Sequence, residues 1–239
     1  LKAKMFKTIF SIMVWPIWFA ALIVLGLIYY ILMLLFESKR IHPIARLISR
    51  LLLLLGGQWL ILKGSPPKQN RGPYLYLINH ASLFDTFMTV AAIPHFFTGV
   101  GKIEQFSYPF WGTISKKYGM IPIDRSKIQS AVGSLSKLEK AIHNGVSAMI
   151  APEGTRTLDG KLNEFKKGAF HVAKNTGITI VPIILEGSFK AKNKKDWRIS
   201  PGFVTARLCE KITKQQYNHM SVNELRGYVQ NIFNDALEK

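Results

Sequence analysis

One cysteine, Cys209, occurs in 239 residues. A lone thiol excludes an intrachain disulfide framework and any cysteine-based metal knuckle, and it suits a reducing compartment. Acids are scarce as well: 14 Asp and Glu face 32 Lys and Arg, a formal charge of +18. That balance points to nucleic acid, an anionic membrane or phosphorylated substrates as partners. No internal repeat or low-complexity tract is present, and the length suits one domain with appendages. The longest absence is of charge itself. From Thr8 to Phe36 no charged residue occurs for 29 positions. Nucleic acid needs no apolar anchor, so this run favours the other two partners.

Lys2, Lys4 and Lys7 precede the run. It is far longer than a signal-peptide core, and no small-x-small site ends it. As a helix it would reach roughly 43 Å, enough to cross a bilayer with tilt. The flanks argue differently. A polar turn, Glu37 to Pro43, leads to a second apolar segment, Ile44 to Leu62, carrying Arg46 and Arg50. Positive charge at both ends of the first helix gives the positive-inside rule no preferred orientation. A helical hairpin in one leaflet, kinked at Pro16, lets all the basic ends reach the same anionic surface. Residues 1–62 therefore read as a two-helix membrane anchor, and residues 63–239 as the second unit.

Lys63 to Pro73 is polar and rich in Gly and Pro, a loop. Beyond it apolar strands alternate with helical patterns. Strands are expected at Tyr74–Ile78, Met120–Ile123, Ser147–Ala151, Ile178–Leu185 and Gly202–Cys209. Helices are expected at Leu83–Ile93, Lys127–His143 and Phe165–Asn175, with a final amphipathic one capped by Ser221. The alternation implies an α/β fold, a mixed and partly parallel sheet flanked by helices.

Three motifs fall at predicted strand ends, where α/β sheets present functional groups. In Asn79-His80-x4-Asp85, a His80 outside the helix can fold back so that Asp85 fixes its tautomer, leaving the other nitrogen to take a proton. Alone, this pair equally describes a helix cap and a first-turn acid complementing the helix dipole. Ser82 lies too close to His80 in sequence to serve as its nucleophile and reads as a capping residue. In Pro152-Glu153-Gly154-Thr155-Arg156, Gly154 allows a tight turn, Thr155 offers a hydroxyl, and Arg156 can grip a phosphate bidentately. Arg125 ends Ile121-Pro-Ile-Asp-Arg. Lys102 follows Gly99-Val-Gly without the spacing of a P-loop. Lys166, Lys167 and the run Lys190 to Lys195 read as a solvated basic face.

The order Asn79-His80-x4-Asp85, Gly119-Met-Ile-Pro-Ile-Asp-Arg125, Pro152–Arg156 and Val181-Pro182-Ile183 resembles the glycerolipid acyltransferase family, particularly its 1-acylglycerol-3-phosphate O-acyltransferases. The resemblance implies that His80 is the general base for an acceptor hydroxyl and that Asp85 orients it. Arg125 and Arg156, with Lys102, would hold the acceptor phosphate, and Glu153, Gly154 and Thr155 would shape that site. It implies acyl-coenzyme A or acyl-carrier protein as donor, a lysophosphatidate acceptor, a phospholipid membrane as partner, and the cytoplasmic face of the cell membrane as location. It implies no metal, no tightly bound cofactor and no nucleic acid. Pro122 stands where the family usually has an aromatic residue, and Ala151 where Phe is common. The rivals are a same-family enzyme with another lysophospholipid or glycerol-3-phosphate as acceptor, a non-catalytic binder of anionic lipid, and a nucleic-acid binder.

Overall fold

The computed structural model describes residues 2–68 and 71–238. Its centre is a seven-stranded sheet: β1 (Gln58–Lys63), β2 (Tyr74–Ile78), β3 (Phe97–Lys102), β4 (Ile121–Ile123), β5 (Ser147–Ile150), β6 (Thr179–Glu186) and β7 (Gly202–Leu208). The spatial order is β1-β7-β6-β2-β5-β3-β4. Neighbours are parallel except β6 and β7, which pair antiparallel.

The all-apolar reading of β2 follows from its place between β5 and β6, with both faces covered. Side chains alternate along a strand. Tyr74, Tyr76 and Ile78 accordingly join a core that also holds Trp18, Leu52, Phe84 and Met88. Leu75 and Leu77 join a second core with Leu138, Phe170, Val229 and Phe233. The first core lies under α1 (Lys2–Leu35), α2 (Ser38–Leu55) and α3 (Asp85–Ala92). The second lies under α5 (Ile128–His143), α6 (Gly168–Thr176) and α9 (Val222–Leu237). A 3-10 turn (Ile103–Ser107) and three short helices, α4 (Trp111–Tyr118), α7 (Ser188–Ala191) and α8 (Lys214–Tyr217), complete the fold. Ser221 caps α9 as expected, in a reciprocal box with Glu224.

The structure departs from the sequence expectations in three places. The apolar segment from Ile44 to Leu62 is not one helix: it divides at Gly56-Gly57 into α2 and β1, because β1 finds a partner in β7. β3 lies outside the strands expected from sequence; pairing with β5 on one side and β4 on the other overrides the weak propensity of its two glycines. The helix expected from Phe165 starts at Gly168, since Phe165 and Lys166 spend their N–H groups on the Gln230 side chain and the Pro152 carbonyl.

The first helix is continuous through Pro16 and docks along its length on the sheet domain. Near its start, Lys7 pairs with Asp196 at 3.0 Å and the Ile199 N–H donates to Ser11. Trp15 and Trp18 donate to the carbonyls of Trp197 and Leu52. Near its end, Tyr29 and Met33 pack with Ile41 and Ala45 of α2 and with Ile114 and Tyr118 of α4. Between these contacts α1 leaves a broad apolar face exposed, including Met13, Ile17, Ile23, Leu27 and Leu34.

Candidate active site

His80 follows β2 directly and lies outside α3, whose first residue is Asp85. The chain folds back between them, and His80 Nδ1 meets Asp85 Oδ2 at 2.8 Å. The same oxygen accepts the N–H groups of Ala81 and Ser82, each at 2.7 Å. A carboxylate can only accept, so Nδ1 carries the hydrogen and Nε2 keeps its lone pair. Asp85 is fully buried, and its other oxygen has no partner among the described residues. The carboxyl group is thus held beside the imidazole, at the N-terminus of α3, by three donors to one oxygen. Ser82 donates to the Lys192 carbonyl and accepts from the Phe84 N–H, a local structural role.

The loop after β5 grips the backbone of His80 from the other side. Glu153 Oε1 accepts the His80 N–H at 2.6 Å, and the His80 carbonyl accepts the Thr157 N–H at 2.9 Å. Glu153 Oε2 takes two more hydrogens, from the backbone and side chain of Asn163. Burial raises the Glu153 pKa, and these donors oppose the rise. Asn79 closes the third side: its amide exchanges two hydrogen bonds with the Leu185 backbone at the end of β6. Gly154, Thr155 and Arg156 of the same turn line a large cavity at His80, whereas the Glu153 side chain meets the His80 backbone and Asn163. Its carboxylate is committed to holding His80 and the Asn163 loop.

A cavity of about 700 Å³ opens at His80 and runs between the sheet and helices α1 to α4. Its polar part holds Lys102, Arg125, Arg156, Lys166 and Lys194 with Gly154 and Thr155; among the described residues the one carboxylate on its wall is Asp85. Gly154 has φ +73° and turns the loop so that its carbonyl accepts from Arg125. Burial lowers the pKa of Arg125, which still leaves a guanidinium charged at neutral pH. Lys102 is exposed and pairs with Glu104 at 3.0 Å, so its charge is partly spent. Lys166 and Lys194 join the site although their sequence context marks them only as part of a basic face. The one signal for Lys166 is its closeness to the Arg156 turn, and Lys194 sits unmarked in a lysine run. The rest of the wall is mainly apolar, with Leu22, Leu52, Phe87, Val90, Phe106 and Trp111 contributing beside Ser49, Thr86, Gln105 and Ser115. Among the described residues no group of three or more His, Cys, Asp or Glu side chains is placed to hold a metal ion.

An acyltransferase family model matches residues 61–186, which include every site residue named above from His80 to Arg156 and Lys166. The chain belongs to the acyltransferase family. It is 30% identical over 79% of its length to a 1-acyl-sn-glycerol-3-phosphate acyltransferase of Cocos nucifera, covering 61% of that protein. It is 33% identical over 78% of its length to one of Limnanthes alba, covering 65%. The chain thus spans about three fifths of these relatives. The fold matches the solved 1-acyl-sn-glycerophosphate acyltransferase PlsC of Thermotoga maritima with a TM-score of 0.83, at 21% identity, over 97% of this chain and 96% of that one. In this chain, His80 lines the cavity together with the five cationic side chains and the apolar residues named above. An imidazole so held can accept a proton from a group bound in the cavity.

Proposed function

We propose that the protein transfers a fatty acyl group from an acyl thioester to the sn-2 hydroxyl of 1-acylglycerol 3-phosphate, giving phosphatidate. The observation that carries this is the 2.8 Å His80–Asp85 pair on a cavity whose wall combines five cationic side chains with a mainly apolar remainder. His80 Nε2 removes the hydroxyl proton as the oxygen attacks the thioester carbonyl. The tetrahedral intermediate collapses, the C–S bond breaks, and the proton passes to the departing sulfur. Arg125 and Arg156 offer planar donors to the phosphate, with Lys166 and Lys194 adding charge. An acceptor with its own acyl chain uses the apolar wall, which glycerol-3-phosphate would leave empty. Acyl-coenzyme A or acyl-carrier protein serves as donor substrate, and no tightly bound cofactor is invoked.

Residues 1–62 act as the membrane-binding unit and residues 63–239 as the catalytic unit, the division being functional because β1 crosses it. A one-leaflet hairpin at the cytoplasmic face suits the docking of α1. A 34-residue helix is about 50 Å long. Its Lys7 end touches the Asp196–Ile199 segment and its Tyr29–Met33 end touches α4 of the same domain. Ends held by one domain on one side of a bilayer favour immersion over a crossing.

The reading is tested with detergent-solubilised protein, acyl-coenzyme A and lysophosphatidate, following thiol release. His80→Ala lowers turnover by about 10²- to 10⁴-fold and leaves the thermal midpoint near that of the parent. Near-normal transfer by this variant would remove His80 as the base. Arg156→Ala chiefly raises KM for the acceptor; an unchanged KM would count against its phosphate role.

A further inference from the structure

We infer that the segment Lys192–Arg198 is a second bilayer contact, in which Trp197 sits among lipid headgroups while Lys194 and Lys195, with Lys190 just before them, face anionic ones. The inference rests on the membrane reading of α1 and extends it to the catalytic unit. The segment is fastened to α1 over about two helical turns. Lys7 Nζ meets Asp196 Oδ2 at 3.0 Å, the Trp15 indole N–H donates to the Trp197 carbonyl at 2.9 Å, and the Ile199 N–H donates to Ser11 Oγ at 2.8 Å. Its other end is fastened to the catalytic turn, where Ser82 donates to the Lys192 carbonyl at 2.7 Å. Lys194 lines the cavity that His80 shares. One short stretch therefore joins α1 to the site, and the depth of α1 sets its own.

The composition is that of a membrane–water interface. Trp197 is 52% exposed although its backbone is seated against α1. At that seat Trp15 stacks on Phe19, which is itself exposed, with ring centroids 5.2 Å apart. An indole has an apolar body and one N–H, and it settles at the level of the headgroups. Lys190, Lys194 and Lys195 are all exposed. The one acid of the segment is already engaged: Arg198 and Lys7 hydrogen-bond to Asp196 and hold its carboxyl well below the ordinary range. The surplus charge is positive and complements anionic headgroups. The lysines by themselves would equally fit an acidic carrier protein. An exposed tryptophan beside the apolar α1 favours lipid. Such a contact holds the cavity at the level where the phosphate of an amphiphilic acceptor lies, which α1 alone, a single rod free to roll, does not.

Depth measurement by spin labelling tests the inference. In a Cys209→Ser background, a nitroxide is placed at Lys195→Cys, at Met13→Cys on the exposed face of α1, and at Lys137→Cys on the exposed side of α5. The full chain is reconstituted into vesicles of phosphatidylcholine and phosphatidylglycerol, and collisions with oxygen and with a neutral nickel chelate are compared. The expected ratio at 195 lies between those at 13 and 137, with several-fold less nickel collision than at 137. It should move to the value at 137 when Trp197→Ser is added or when phosphatidylglycerol is left out, while the ratio at 13 stays. Trp197→Ser keeps the backbone carbonyl that Trp15 binds, and the label at 195 reads depth without it. A water-like ratio at 195 beside a lipid-like one at 13 overturns the contact and leaves the α1 reading standing. Water-like ratios at both overturn the two together. Low collision with both reagents at 195, or shielding that appears only on adding acyl-carrier protein, would mean that protein covers the segment and would overturn the inference. So would an interfacial ratio indifferent to Trp197 and to phosphatidylglycerol.

Discussion

At the scale of single residues, the site depends on one oxygen. Asp85 Oδ2 accepts three hydrogens, from His80 Nδ1 and from the Ala81 and Ser82 backbones. A carboxamide in place of the Asp85 carboxylate can put its oxygen at the Oδ2 position and accept the same three hydrogens, but it brings no negative charge to support the proton that the imidazole takes on. Asp85→Asn should therefore lower kcat by about 10²- to 10⁴-fold, while acceptor KM stays near the parent value. Glu153 offers a second test, of a positioning role. Its two oxygens accept three N–H groups, and glutamine would aim its own donors at one of those sites. Glu153→Gln should lose about 1–3 kcal/mol of stability and depress kcat with little change in acceptor KM. A rise in KM alone would return Glu153 to the phosphate site. Alone, the His80–Asp85 spacing equally described a helix cap, and it was the order of motifs through Arg125 and Arg156 that pointed to one site; the fold places these side chains on one cavity. What Glu153 binds was not legible in the sequence: a carboxylate beside Gly-Thr-Arg looks the same whether it faces ligand or backbone. Lys166 and Lys194 reach the cavity only through tertiary folding.

At the scale of elements, the interface between α1 and the sheet domain turns on Trp18. It is 2% exposed, stacks edge-on against Phe84 and Phe87 of the α3 segment, and donates to the Leu52 carbonyl of α2. One side chain thus joins three helices over the strand end that carries His80. Trp18→Ala should cost about 3–5 kcal/mol and loosen α1 before the rest. Limited proteolysis in detergent should then cut near residues 36–38 at protease levels that spare the parent. Equal resistance would mean that α1 is held mainly by its polar end contacts at Asp196 and Ile199. The apolar runs of β2, β5 and β6 were readable because burial on both faces leaves a plain hydrophobic signature. β1 and β3 were not. β1 continues the hydrophobicity of α2 with only Gly56-Gly57 to mark the change, and β3 carries two glycines whose strand state is imposed by its neighbours.

At the scale of the whole molecule, acid stability should depend on a histidine far from the chemistry. His95 is 5% exposed and lies between the two central strands: its Nε2 meets the Tyr76 hydroxyl at 3.0 Å and Ser147 Oγ at 3.2 Å. Its Nδ1 has no partner among the described residues. Burial, helped by the charges of His42 and Arg46, lowers its pKa to about 4. In the unfolded chain the same ring titrates near its ordinary value of about 6.5. Between those limits the unfolded state binds more protons, so stability falls as pH falls. A gap of about 2.5 pH units corresponds to roughly 3 kcal/mol. His42, also depressed by burial, adds in the same direction. Urea unfolding in detergent at pH 7 and pH 4.5 should show a marked drop in midpoint for the parent and a smaller one for His95→Gln, which keeps a polar group without a proton to gain. All other titrating groups contribute equally to both proteins, so the difference between the two drops isolates His95. Equal drops would mean that a buried water or a shift in the strands accommodates the charged ring.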